Sequence, residues 1–184
     1  MRTVFLAALL ALLVGTAAAQ TSSLPMAAST TAGPNASSLR TYALRLKPGQ
    51  DLRRELLAFA EHHQLRASTI LTGVGSLTTA SIRLANQPGP TQYKGHFEIV
   101  SLVGTLSING SHLHMSVADS TGRTVGGHLL DGNIVYTTVE LVVGEMPELD
   151  FRREPDPTYG YQELTVYPAE PKPAKKRTAS GKRP

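Results

Sequence analysis

The sequence predicts an α+β domain: a largely antiparallel β-sheet with one main α-helix. Three observations lead there. One stretch near the start of the folded region carries apolar residues at helical spacing. Nearly everything after it runs in segments rich in Val, Ile, Leu and Thr, and those segments are joined by hairpin-sized turn signals.

Taken in order, Tyr42, Leu44 and Leu46 alternate with Ala43 and Arg45, the period of a half-buried strand, and Lys47-Pro48-Gly49 ends it. Asp51 then caps a helix running to about Gln64. Leu52, Leu56, Phe59 and His63 fall three and four apart, Leu57 and Ala60 widen the stripe, and Arg53, Arg54, Glu55 and Glu61 take the wet side. His62 and His63 sit where the C-terminal end of the helix dipole favours them, and that role accounts for them without further chemistry. Strands are expected over 67–75 and 79–84, with Gln87-Pro88-Gly89-Pro90 as a break, and over 97–108 with Gly104 as a bulge. Asn109-Gly110 reads as a type I′ hairpin turn. Further strands follow over 112–118, 124–130 and 133–143, and a weaker pair over 149–152 and 163–166.

The two ends differ from this middle. Met1-Arg2, an uncharged apolar run from Val4 to Val14 and the small residues up to Ala19 form the pattern of a secretory signal, so 1–19 is expected to be removed and the protein exported. The run is shorter than the ~20 residues a transmembrane helix needs. Residues 20–39 are rich in Ser, Thr, Ala and Pro and read as a flexible linker, 40–168 as the folded domain, and 169–184 as a disordered basic tail. Asn35-Ala36-Ser37 and Asn109-Gly110-Ser111 match the glycosylation sequon, a short pattern that arises readily by chance. The chain has no cysteine, which excludes disulfides, thiolate catalysis and Cys-ligated zinc. Its formal charge of +4 hides an asymmetry: residues 40–168 carry 11 Lys/Arg against 13 Asp/Glu, while 169–184 carry 6 Lys/Arg against one Glu. A nucleic-acid reader would normally place its basic stripe on the fold itself. The tail suits polyanions or an anionic envelope surface instead.

The most informative segment runs from His112 to His128. In an extended strand, residues two apart share a face, so His112, His114 and Ser116 point one way and Leu113, Met115 and Val117 the other. A three-residue loop Ser120-Thr121-Gly122, with Gly122 left-handed, closes a hairpin. That register pairs Asp119 with Arg123, Val117 with Val125, His114 with His128 and Leu113 with Leu129. Apolar then meets apolar and His meets His. Three neutral imidazoles at His112, His114 and His128 would converge on one divalent metal, zinc on grounds of availability, leaving a fourth position open.

Several ordered motifs also resemble the Plants and Prokaryotes Conserved (PPC) domain family: Gly73-Val74-Gly75-Ser76-Leu77, Gly95-His96-Phe97-Glu98-Ile99-Val100 through Thr105, and His112-Leu113-His114 through Gly126-Gly127-His128-Leu129. The resemblance spans about residues 40–167. It implies a compact α+β domain that assembles as a homotrimer, and prokaryotic members with the three-His pattern imply metal ligands at His112, His114 and His128. Plant members are nuclear proteins with a separate AT-hook, and they use a Gly-Arg-Phe-Glu-Ile-Leu segment for protein partners; here His96 stands where they carry Arg. Bacterial members are often described as DNA-binding. The tail ends Gly181-Lys182-Arg183-Pro184, which lacks the Arg-Gly-Arg-Pro order of an AT-hook.

These features order three functions. First is an exported, non-catalytic, trimeric metal-binding module. Second is a DNA-binding or regulatory protein, by family analogy. Third is a zinc-dependent hydrolase-like enzyme, with Glu98 as the acid that activates water. The sequence carries no nucleophile elbow, phosphate loop or His-Glu-x-x-His motif, which ranks the enzyme last.

Overall fold

Helix α1 (Leu52–His63) is fixed at both ends by local chemistry. The Asp51 carboxylate accepts from the backbone N–H groups of Arg53 at 3.1 Å and Arg54 at 3.3 Å. Its other oxygen accepts from Gly132 N–H at 2.6 Å, which ties the helix start to a distant loop. Gln64 ends the helix in the left-handed conformation at φ 52, and the next N–H, of Leu65, returns to the Ala60 carbonyl. Leu52, Leu56 and Ala60 are fully buried. Burial of each leucine contributes about 1.5–3 kcal/mol relative to exposure.

The computed structural model describes residues 36–170. The expected signal peptide, the expected linker up to residue 35 and the tail from residue 171 lie outside them. The strands are β1 (Arg40–Leu46), β2 (Ser68–Arg83), β3 (Thr91–Ser107), β4 (Gly110–Ala118), β5 (Thr124–Leu129), β6 (Ile134–Glu145), β7 (Leu149–Pro155) and β8 (Gln162–Pro168). Six of them form one antiparallel sheet in the order β1-β6-β2-β3-β4-β5, and the end of β2 pairs again with β5. The sheet therefore curls until Ile82 meets Leu129 and Arg83 meets His128. The helix packs against this sheet over a core that includes Leu77, Ile82, Leu106, Val117, Val139 and Val143. Strands β7 and β8 make a separate two-stranded sheet, with Leu149 and Phe151 packed on Ala67. The α+β class with a mainly antiparallel sheet and one helix is thus as the sequence predicts.

Several local expectations change; the bulge in β3 falls between Ile99 and Ser101, not at Gly104. The segments expected over 67–75 and 79–84 are one strand of 16 residues, whose register shift between Leu77 and Thr79 absorbs what looks like a break. Within it Gly75, at φ 145, lies so close to β6 that a Cβ would stand 2.1 Å from the Thr138 carbonyl oxygen. Strand β3 starts at Thr91, six residues early, because Thr91 to Lys94 pair with Ile82 to Thr79 and satisfy their backbone groups despite a polar face. The tight turn after β3 is centred on Ile108 and Asn109, with Ser107 paired to Gly110. Neither central residue has positive φ and only Gly110 does, so the turn is not type I′. Asn109 is held instead by its own side chain, which donates to the Asp150 carboxylate at 3.0 Å and the Phe151 carbonyl at 2.8 Å.

Asn133 joins the β5–β6 connection to β2. It is fully buried; its side-chain oxygen accepts from Ser81 N–H at 2.9 Å, and its amide donates to the carbonyls of Ser81 at 2.9 Å and Leu130 at 2.6 Å. Asn133→Ala leaves those backbone groups unpaired in the core, and is expected to cost about 2–3 kcal/mol of stability, measured by urea denaturation.

Candidate metal centre

The β4–β5 hairpin forms in the expected register. Asp119 N–H donates to the Arg123 carbonyl at 3.0 Å, Gly122 takes φ 83, Val117 pairs with Val125, and His114 pairs with His128. The ladder ends there: Leu129 pairs with Ile82 of β2, not with Leu113, because β5 turns onto β2 at this point. Leu113, Met115 and Val117 are buried, while His112, His114 and Ser116 lie on the other face.

The three imidazoles meet on that face. Nε2 of His114 lies 3.2 Å from Nε2 of His112 and 3.1 Å from Nδ1 of His128. One ring nitrogen from each residue falls within 4.8 Å of the others. Two zinc–nitrogen bonds of ~2.05 Å at the tetrahedral angle separate their nitrogens by roughly 3.3–3.4 Å. The two short spacings are near that value, so the cluster can hold a metal ion with little movement. All three donors are imidazoles, a set that suits zinc, copper or nickel.

Two of the rings are poised toward the neutral, ligating form. Burial of the ring, then Arg153, holds His112 below the usual imidazole value; His114 and Arg83 act the same way and Glu163 opposes them. Burial, then Arg83, lowers His128 likewise, with His114 and His112 adding to it. Sequence reasoning had no sign of Arg83 or Arg153, which reach the site from β2 and β7.

The remaining histidines and Glu98 are elsewhere. His62 and His63 sit at the end of α1, where His63 packs on Phe59 at 4.5 Å and Tyr42 at 5.2 Å between ring centroids. His96 packs at a tilt on Tyr136, with ring centroids 4.3 Å apart. Glu98 aligns with Ala118, whereas Val103 aligns with His114. Four residues along a strand amount to about 13 Å, so Glu98 is out of reach of a water held by the triad of its own chain.

Comparison with known proteins agrees with this architecture. A family model described as the Plants and Prokaryotes Conserved (PCC) domain matches residues 33–147, which include the whole hairpin; β7 and β8 lie beyond the match. The bifunctional protein GlmU of Synechococcus is 48% identical over 131 residues, 71% of this chain and 21% of that protein. AT-hook motif nuclear-localized protein 13 of Arabidopsis thaliana is 36% identical over 115 residues, 56% of this chain and 26% of that one. A solved structure of a hypothetical protein from Salmonella cholerae-suis is 48% identical with a TM-score of 0.72, covering 73% of this chain and 97% of that chain. The chain spans about a fifth of the length of its GlmU relative.

The lowered imidazoles fix the sign of a pH effect. At about pH 7.5 and above, both folded and unfolded rings are neutral and the stability is fully present. As pH falls, the unfolded chain takes up protons first, so stability declines until the folded rings also protonate. The urea midpoint of metal-free protein is therefore expected to drop as pH falls from about 7.5 through about 6.5, and to drop less in a His112→Gln/His128→Gln variant.

Proposed function

The chain belongs to the Plants and Prokaryotes Conserved domain family, and from that premise we propose that it is a non-catalytic metal-binding module whose ligands are His112, His114 and His128. The observation that carries this reading is the convergence of three ring nitrogens from two strands, at 3.1 and 3.2 Å, on one face of a hairpin whose other face is core. Zinc is the proposed metal because it accepts a three-imidazole set with an open fourth position and is commonly available. The N-terminal signal pattern supports an exported protein that meets its metal outside the cytoplasm.

If the triad holds one ion, His112→Ala, His114→Ala and His128→Ala should each weaken zinc binding by more than the roughly 10–100-fold that loss of an outer-shell partner costs. His62→Ala and His63→Ala should bind as the wild type does. Binding should also weaken below about pH 6.5, where imidazole gains a proton. Calorimetric titration of chelator-treated protein measures all of these, and unchanged affinity in His128→Ala would overturn the assignment.

A homotrimer belongs to the same proposal. Leu71 and Val74 of β2 and Val100 and Val103 of β3 are exposed, Val100 at 60%. Apolar side chains on neighbouring strands are the kind of surface that self-association covers. Light scattering should give about three times the monomer mass, and Val100→Lys/Val103→Lys should lower it.

A DNA-associated role is a second reading, favoured by the 36% identity to an AT-hook motif nuclear-localized protein. The balance of 11 basic and 13 acidic residues across 40–168 leaves the basic tail, rather than the fold, to meet phosphate.

A further inference from the structure

Beside the triad lies a cavity of about 510 Å³ with a charge pattern that the metal alone does not require. His112 and His128 form part of its wall, together with Arg53 of α1, Arg83 of β2, Arg153 of β7 and Glu163 of β8. Arg53 is already paired with Asp131. Arg83 and Arg153 make no ion pair among the described residues. Both residues are half-buried, so their charged heads are held at the cavity wall with no carboxylate partner of their own.

The fold holds these two groups at the cavity. Arg83 stands directly opposite His128 in the β2–β5 ladder, so its side chain leaves the sheet on the same face as the imidazole. Arg153 donates to the Gln162 carbonyl across the β7–β8 ladder, which anchors its planar head. Three neutral imidazoles leave the full double charge on a bound divalent ion, unlike ligand sets containing thiolate or carboxylate. With Arg83 and Arg153 added, one carboxylate, Glu163, does not balance the cavity.

We propose that this cavity binds a small molecule bearing an oxyanion, one oxygen of which takes the open position on the metal while its other oxygens accept hydrogen bonds from Arg83 and Arg153. The shared chemistry is that of a carboxylate or a phosphate group, both of which match the guanidinium fork. The proposal rests on the three-His metal reading. It adds a ligand class, and it draws one wall from β7–β8, outside the residues matched by the family model.

The test uses the full chain, stripped with chelator and reloaded with cobalt(II), whose visible spectrum reports the ligands around it. Cobalt affinity is measured first, and then malonate and inorganic phosphate are titrated separately into the loaded and metal-free protein. The expected result is one anion per cobalt, a changed visible spectrum, and binding about tenfold or more weaker without metal. Arg83→Gln and Arg153→Gln should each weaken the anion by about tenfold or more without weakening cobalt binding, while Arg45→Gln, exposed on β1, should change neither. Arg153→Gln, on the separate sheet, decides the matter if Arg83→Gln disturbs folding. The tighter anion identifies the source as carboxylate or phosphate. If cobalt binds but neither anion alters its spectrum, or the Arg153 variant binds both anions as the wild type does, the oxyanion site is overturned and the metal reading stands. Failure of cobalt to bind overturns both.

Discussion

Both faces of the β4–β5 hairpin are satisfied by a single register, and the candidate site depends on that constraint. Leu113, Met115 and Val117 fill the core, and the alternation of a strand then leaves His112 and His114 no choice but the opposite face. A slip of one residue would carry imidazoles into the interior and three apolar side chains into water. The loop reinforces the register. The Thr121 hydroxyl donates to the Asp119 carboxylate at 2.6 Å, and the N–H groups of Thr121 at 2.9 Å and Arg123 at 3.1 Å donate to it as well, which keeps that carboxyl below its usual range. Core packing thus preorganises the nitrogens, so little of the free energy of binding a metal ion would go into arranging them.

The same hairpin is placed by a second close approach. Gly126 and Gly127 precede His128, and a Cβ on Gly127 would stand 2.4 Å from the Arg83 carbonyl oxygen. Only glycine lets β5 come near enough for Arg83 to pair with His128. Closure of the curled sheet and the electrostatics of the site therefore share a cause. The backbone contact that completes the sheet also brings a guanidinium to an imidazole, where it disfavours protonation of His128.

Much of this was legible in the sequence, for physical reasons that also mark where legibility ended. The helix is local: its cap, its stripe and its end all lie within residues 51–64, and each follows from short-range rules. The His hairpin is nearly as local, since three residues of loop set a register that alternation then checks. The continuity of β2 through Gly75 and Thr79 was hidden, because pairing with β3 and β6 overrides what a single strand reads as a break. The turn at Ile108 and Asn109 was misplaced by one residue for a similar reason: Asn109 answers to Asp150 and Phe151, some forty positions away. Arg83 and Arg153 were invisible as a pair, because only closure of the main sheet and the position of the second one bring them to a common cavity.

A cluster of three imidazoles is stable in different ways with and without a cation. Without one, His114 can share hydrogen bonds with both neighbours through its Nε2, and at 3.1 and 3.2 Å the rings tolerate at most limited protonation before like charges repel. Arg83 and Arg153 sharpen that intolerance for His128 and His112. A divalent ion reverses the account for the imidazoles, because ring nitrogens that share protons in the bare cluster would all turn lone pairs toward the ion. The guanidiniums are left on the wrong side of it: they disfavour a proton and a metal alike by Coulomb repulsion. Such an arrangement would weaken the proposed cation and is difficult to explain by metal binding alone. It becomes economical once an anion joins the cation in the cavity, since the arginines that repel the metal attract its partner, and each of the two bound charges then strengthens the hold on the other.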